Sequence, residues 1–105
     1  MNPIELKLND HKRGAFVIEE GEERLAEMAV AIIKDRLVVY HTEVSEKLRG
    51  QGVAARLLEE MVTYARGHQL KVVALCPYVH AQFKRHPDQY EDIWDKHWKS
   101  GSNSA

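Results

Sequence analysis

Residues 38–61 read VVYHTEVSEKLRGQGVAARLLEEM, and this stretch decides how the rest of the chain is arranged. The apolar, β-rich run at 38–44 predicts a strand. A basic turn with two glycines, Arg49-Gly50-Gln51-Gly52, follows it and opens directly into a helical pattern. The apolar residues of that pattern share one helix face, at Val53, Ala54, Leu57, Leu58 and Met61. The stretch therefore predicts a strand, a glycine turn and an amphipathic helix in immediate succession.

A turn that opens into a helix is suited to bind an anion. The first backbone N–H groups of a helix have no intrahelical partner, and the helix dipole makes that end partly positive. Gly50 and Gly52 would let the backbone approach a ligand, while Lys47 and Arg49 add positive charge. We interpret the junction as a diphosphate site. The alternative is that the two glycines only permit a tight turn, and glycines alone do not decide between these readings.

The wider sequence carries a family resemblance. Arg49-x-x-Gly52-x-Ala54 resembles the acyl-CoA signature R/Q-x-x-G-x-G/A of the GNAT superfamily of N-acetyltransferases. The flanking matches are His41-Thr42-Glu43-Val44, Leu75-Cys76-Pro77-Tyr78-Val79 and Arg85-His86-Pro87. Together they resemble a small, minimal GNAT-like subfamily over residues 4–93. The resemblance implies acetyl-CoA as co-substrate and an amine as acceptor.

Composition indicates one soluble globular domain. The chain has 105 residues, of which 44% are hydrophobic and 30% charged, so it can bury one core. We expect a single domain at 1–99 and a flexible polar tail at 100–105. No apolar run is long enough to span a membrane, and no signal peptide is recognisable.

Charge and cysteine content limit the expected binding partners and the expected cellular compartment. One cysteine cannot form an internal disulfide, so we expect a cytoplasmic protein. A formal net charge of -1 argues against a nucleic-acid partner. The six histidines contain no H-x-x-x-H pair, and we predict no metal site. We expect a monomer or a weak dimer that binds no membrane.

The first half of the chain reads as an antiparallel meander. Alternating or β-rich runs predict strands at 4–8, 14–20, 24–33 and 37–44. The composition of 24–33 also suits a helix. A polar turn at 34–36, followed by another β-rich run, favours a hairpin instead.

The second half predicts a parallel crossover. A helix at 52–66, ended by a left-handed Gly67, leads to an apolar run at 70–75 that would pair parallel with 37–44. The fold class is therefore α+β (mixed α/β), a GNAT-like mixed sheet of about five strands with one main helix. A short helix at 79–85, ended by Pro87, and an amphipathic segment at 92–99 that pairs Trp94 with Trp98 complete the chain.

The resemblance also implies where acetyl-CoA binds. In GNAT proteins the parallel pair splays apart and frees backbone groups for the pantetheine arm, here between 41–44 and 75–78. The residues expected to contact CoA are Val44, Lys47, Arg49, Gly50, Gln51, Gly52, Val53, Ala54, Tyr78 and Phe83.

Two residues are candidates for catalysis. Histidine can take the proton that an attacking ammonium must lose, although His41 could equally be a strand histidine bonded to a neighbour. From the sequence alone Cys76 is better explained as a packed core residue. The resemblance favours a catalytic role for both residues, because the small GNAT-like proteins carry a histidine and a cysteine near the acyl group.

The chain departs from the larger superfamily at the usual general acid. Arg85 stands where a tyrosine would protonate the leaving thiolate, so Tyr78, Cys76 or water would have to serve. We predict direct transfer with His41 as base and Cys76 as pocket wall or proton donor. A relay through an acetylated Cys76 is the alternative. A non-catalytic acyl-CoA-binding or partner-interaction module is the alternative to an enzyme.

Overall fold

The computed structural model describes residues 2–97, which form one sheet and three α-helices. The strands are β1 (Glu5–Leu8), β2 (Arg13–Glu20), β3 (Glu23–Ile33), β4 (Arg36–Val44) and β5 (Lys71–Ala74). The helices are α1 (Val53–Gly67), α2 (Pro77–Arg85) and α3 (Pro87–Tyr90), with a 3₁₀ turn at Glu46–Leu48. The predicted tail at 100–105 and Trp98 lie outside the described residues. None of the described helices combines the length and apolarity that a membrane crossing requires.

The sheet has the predicted mixed topology. Its strand order is β1-β2-β3-β4-β5, and the first three pairs are antiparallel. β4 and β5 pair parallel, from Arg36 opposite Lys71 to Val39 opposite Ala74. A crossover through α1 joins these two strands, as a parallel pair requires. The α+β fold class is therefore confirmed.

One bulge interrupts the alternation of β4. Val30 lies opposite Val39, but Ala29 lies opposite His41, so Tyr40 is an extra residue in the ladder. Beyond it, Thr42 lies opposite the buried Met28 on the face that α1 covers. Because successive strand residues point to opposite faces, His41 lies on the other face.

Helix α1 provides most of the cover for the sheet. Its inner face buries Leu57, Met61 and Ala65 completely, against sheet residues that include Phe16 and Val39. Removing a side chain such as Leu57 from this contact costs about 2–5 kcal/mol, because a cavity remains. The spacing of these residues fits the helical period, so the predicted helix is confirmed.

The end of α1 differs from the prediction. Gly67 is the last helical residue and does not have a positive φ, whereas Gln69 does, at 57°. The amides of Gln69 and Leu70 bond the carbonyls of Arg66 and Ala65, which is the Schellman arrangement. The left-handed position thus lies two residues later than the sequence suggested, and a glutamine occupies it.

The C-terminal segment also differs from the prediction. Residues 92–97 are not helical; Trp94 instead forms a parallel bridge with Val72 at the edge of β5. The amide of Val72 donates to Ile93 O at 2.6 Å, and the amide of Asp95 donates to Val72 O at 2.9 Å. The pattern failed here because these backbone bonds to the free edge of β5 outweigh a weak local helical preference.

We expect opposite effects from alanine at two glycines. Gly67→Ala should raise the free energy of unfolding by about 0.5 kcal/mol, since Gly67 is helical and alanine favours helix. Gly21→Ala should lower it by about 1 kcal/mol, because Gly21 has a φ of 61°. Neither added Cβ meets an atom within 4 Å, so the two variants differ from wild type only in the cost of the backbone conformation. Urea unfolding measures both, and a destabilised Gly67→Ala variant would contradict this description of the helix end.

Candidate active site

A gap between β4 and β5 forms the centre of the site. Their pairing ends at Val39 opposite Ala74, yet β4 continues to Val44 alongside β3. The amides of Leu75 and Cys76 both donate to the Val39 carbonyl, at 3.0 and 2.8 Å. The chain then leaves the sheet and enters α2 at Pro77. The two strands therefore diverge where the family resemblance implied.

The last residues of β4 direct backbone groups into this gap. The amide of Ser45 donates to Leu25 O at 2.8 Å, so Ser45 faces β3. Alternation along the strand then turns the N–H and C=O groups of Thr42 and Val44 toward the gap. Along these residues no other strand of the described chain lies on that side. Their backbone groups can bond the amides of an extended ligand.

The glycine turn follows β4 in the chain, after the 3₁₀ turn at Glu46–Leu48, and leads into α1. Gly50 and Gly52 have φ values of 81° and 67°. An added Cβ would meet no atom within 4 Å at either position. The turn therefore requires glycine for its left-handed backbone rather than for close packing within the protein.

The N-terminus of α1 presents uncapped amides. Gly52 is the N-cap residue, no side chain caps the helix, and its first turn contains no acidic residue. The first intrahelical bond runs from Arg56 N to Gly52 O at 3.2 Å. The amides of Val53 and Ala54 therefore precede the helical ladder and can donate to an anion. The Val53 side chain is buried, so this residue offers only its backbone.

Two cations lie beside the turn, and each has a carboxylate partner. Lys47 Nζ lies 2.8 and 3.0 Å from the Glu23 carboxylate oxygens, and this hydrogen bond and the charge of Glu23 raise the pKa of Lys47. Arg49 Nη2 lies 2.7 Å from Glu46 Oε2. All four side chains are at least half exposed, so these pairs contribute little and a more strongly charged diphosphate can replace them.

His41 belongs to a carboxylate cluster on the opposite face of the sheet from α1. Its Nε2 lies 3.0 Å from Glu27 Oε2. Arg24 Nη1 donates to Glu27 Oε1 at 3.2 Å. The hydrogen bond from His41, followed by that from Arg24, lowers the pKa of Glu27 despite partial burial. An ionised Glu27 therefore orients the imidazole.

Cys76 lies on the helix-covered side of the gap. Its side chain is buried, and its Sγ lies 3.3 Å from Thr42 Oγ1. His41 and Thr42 are neighbours in β4 and point to opposite faces. The structure therefore pairs the thiol with a hydroxyl on one face and the imidazole with a carboxylate on the other.

Of the two aromatic residues expected to contact CoA, only Tyr78 has a partly exposed side chain. Tyr78 is half-buried beside a groove of about 350 Å³ between α1 and α2, and burial, with the nearby Tyr90 and Cys76, raises its phenol pKa. Phe83 is completely buried, stacked on Tyr90 at 4.6 Å and edge-on to Trp94 at 5.7 Å. Phe83 is thus a core residue in this structure.

A second cavity lies beside the carboxylate cluster. It measures about 520 Å³ and is bounded by Glu27 and Glu43 together with Val44 and Ser45. Val44 was predicted from the sequence as a ligand contact, but neither glutamate was. Glu43 lies within the quoted string His41-Thr42-Glu43-Val44, so its alternation with His41 was a usable signal. Glu27 could be found only from the register of the hairpin.

Comparison with known proteins supports this description. The family model described as GCN5-related N-acetyl-transferase matches residues 15–93. The comparison with curated proteins found no match.

Two solved structures share the fold. The solution structure of a GCN5-like, proposed N-acetyltransferase from Staphylococcus aureus has a TM-score of 0.63 and 26% identity, with 100% of each chain covered. The ribosomal-protein-S18-alanine N-acetyltransferase from Escherichia coli has a TM-score of 0.53 and 14% identity. That match covers 61% of this chain but only 42% of the Escherichia coli chain, so it bears on the fold alone. Since the family model spans most of the sequence, the chain belongs to the GCN5-related N-acetyl-transferase family.

Proposed function

We propose that this protein transfers the acetyl group of acetyl-CoA directly to an amine. The observation that carries the proposal is the divergence of β4 from β5 beside the uncapped N-terminus of α1. A diphosphate needs N–H donors without a competing carboxylate, and a pantetheine arm needs free strand groups. This protein offers both, because the last residues of β4 have free backbone groups and α1 begins without a side-chain cap.

The residues of the turn hold the diphosphate in this proposal. The amides of Val53 and Ala54 donate to it, and Gly50, Gln51 and Gly52 set the path of the backbone around it. Lys47 and Arg49 exchange their present partners Glu23 and Glu46 for phosphate oxygens. Exposed pairs of this kind are weak, so the exchange costs little.

The β4 strand holds the pantetheine arm. The backbone groups of Thr42 and Val44 bond its amides, much as a further strand would. The thioester then lies toward the end of the gap where Cys76 and Tyr78 begin α2. Phe83 takes no part, because its side chain is buried in the core.

The amine nitrogen attacks the thioester carbonyl carbon, an amide bond forms and the carbon–sulfur bond breaks. Because ionised Glu27 accepts a hydrogen bond from His41 Nε2–H, His41 Nδ1 is left to accept the proton of the amine. The departing thiolate needs a proton, and Tyr78 is the donor we propose. Its raised pKa keeps the phenol protonated at neutral pH.

Direct transfer is favoured over a cysteine relay by the separation of the two side chains. A relay needs a base beside Cys76 to generate its thiolate. The polar partner of Cys76 within the described residues is the Thr42 hydroxyl, which is no such base, and His41 faces the other way.

The acceptor we propose is an exposed amine of a peptide or protein. His41 is about half exposed, with 49% of its side chain accessible, so a bulky substrate can reach it. We also propose a cytoplasmic location, which the single buried cysteine suits, and a monomer or weak dimer.

Reversing one charge at the turn should weaken CoA binding. We expect Arg49→Glu to lower the affinity for acetyl-CoA and for CoA by about tenfold or more, because both carry the diphosphate. Lys34→Glu is the matched control, since Lys34 lies at the turn before β4, about nine strand residues from the site. Titration calorimetry measures both variants. A wild-type protein that gives no heat with either ligand would remove the functional proposal altogether.

Substitutions on the two faces of the sheet should have unequal effects on acetyl transfer. We expect His41→Ala to slow release of free CoA, with lysine peptides or polyamines as acceptors, by about a hundredfold or more. Glu27→Gln should cause a smaller loss, and Cys76→Ala should retain most of the rate. His11→Ala is the control for removing an exposed histidine. Thiol detection measures the rates, and mass spectrometry detects acetyl-cysteine.

Two results would decide against this mechanism. An inactive Cys76→Ala variant, together with an acetylated Cys76 that discharges as fast as turnover, would establish the relay. Tight CoA binding with no release of free CoA to any acceptor would instead identify a binding module.

A further inference from the structure

Three side chains with metal-binding atoms converge on the face of the sheet opposite α1. Glu27 lies directly across the ladder from Glu43, and His41 is two residues from Glu43 on the same strand. Their ligand atoms all lie within 4.8 Å of one another. Adjacent strands hold all three backbone positions, so only side-chain rotation separates this arrangement from a coordination sphere.

The set of ligand atoms matches a particular class of ion. One imidazole nitrogen and two carboxylate oxygens suit Zn²⁺ and neighbouring divalent transition metals. Three protein ligands with solvent beside them leave at least one coordination position for water. We propose that Glu27, His41 and Glu43 form a binding site for a divalent transition metal of the Zn²⁺ class.

The hydrogen bonds of the three side chains are compatible with metal binding. Arg24 holds Glu27 through Oε1, which leaves Oε2 for the ion. The ion would replace the proton now shared between Glu27 Oε2 and His41 Nε2, which lie 3.0 Å apart. Glu43 is exposed, so its carboxylate can turn toward the ion without disturbing the core.

Residue spacing could not predict this site because its ligands come from two strands. Histidine spacing can reveal ligands on one helix but not a cross-strand pair. The bulge at Tyr40 is also necessary, because without it His41 would point toward α1 and away from Glu27.

Occupancy of this site has a consequence that rests on the proposed function. A metal-bound His41 is held in place by the ion and by Glu27, and the bound ion repels a cationic acceptor. Zn²⁺ should therefore slow acetyl transfer, and a chelator should restore it. The binding itself requires neither acetyl-CoA nor an acceptor.

The test is a calorimetric titration of Zn²⁺ into tag-free, chelator-treated protein without acetyl-CoA. We expect one Zn²⁺ per chain, and an affinity at least about tenfold weaker in Glu43→Gln and in His41→Asn, since each loses a ligand. Glu60→Gln, on the exposed side of α1, and His11→Asn, at the turn before β2, are matched controls that should retain wild-type affinity. Thermal unfolding without metal verifies that each variant is folded, and the Zn²⁺-induced rise in Tm gives a second readout.

Three results would overturn the site: no heat and no rise in Tm with wild type, binding that survives both cluster substitutions, or equal losses in the two controls. These outcomes are distinguishable from failure of the proposed function. A protein that binds Zn²⁺ through these residues but transfers no acetyl group would support the metal site and contradict the proposed function. An active acetyltransferase that does not bind Zn²⁺ would contradict the metal site alone.

Discussion

The parallel pairing of β4 and β5 stops after four residue pairs, and the candidate site depends on this limit. β4 can extend beyond Val39 because β3 continues to pair with it on its other side. β5 cannot follow, since the amides of Leu75 and Cys76 are both bonded to the Val39 carbonyl and Pro77 then starts a helix. The unequal ends create free strand groups next to the start of α1. A longer β5 would close the gap and remove the site for an extended ligand.

A second constraint is the single extra residue at Tyr40. It reverses the alternation of the last part of β4, so that Thr42 points to the α1 side and His41 to the other. Thr42 consequently meets Cys76, and His41 meets Glu27. The separation of a thiol from an imidazole, on which the choice between direct transfer and a relay rests, thus follows from one bulge.

Much of the fold could be predicted because its patterns are strong and local. Alternating residues identified the strands, and the turn at Lys34 fixed the hairpin that aligns β3 with β4. The glycine turn and α1 could be identified because two glycines precede an uninterrupted amphipathic run. The sequence misplaced the end of α1, because Gln69 takes a left-handed conformation that glycine usually adopts.

The candidate site was less predictable, because it depends on register. A regular hairpin would have put His41 on the same face as Leu37 and Val39, against α1. The residue types around Tyr40 do not predict a bulge. Glu27 therefore could not be assigned to His41 from spacing. The family resemblance led us to expect Phe83 at the ligand, but its side chain is buried in the core against Tyr90.

The proposed function requires that the gap and the adjoining turn form one surface for acyl-CoA. Backbone amide chemical shifts of ¹⁵N-labelled protein, recorded while CoA is added, test it most directly. We expect the largest changes at the amides of Gly50 to Ala54 and of Thr42 and Val44, with little change at the β3–β4 turn around Lys34. Changes confined to the outer groove between α1 and α2, around Gln82 and His86, with an unperturbed glycine turn, would contradict it.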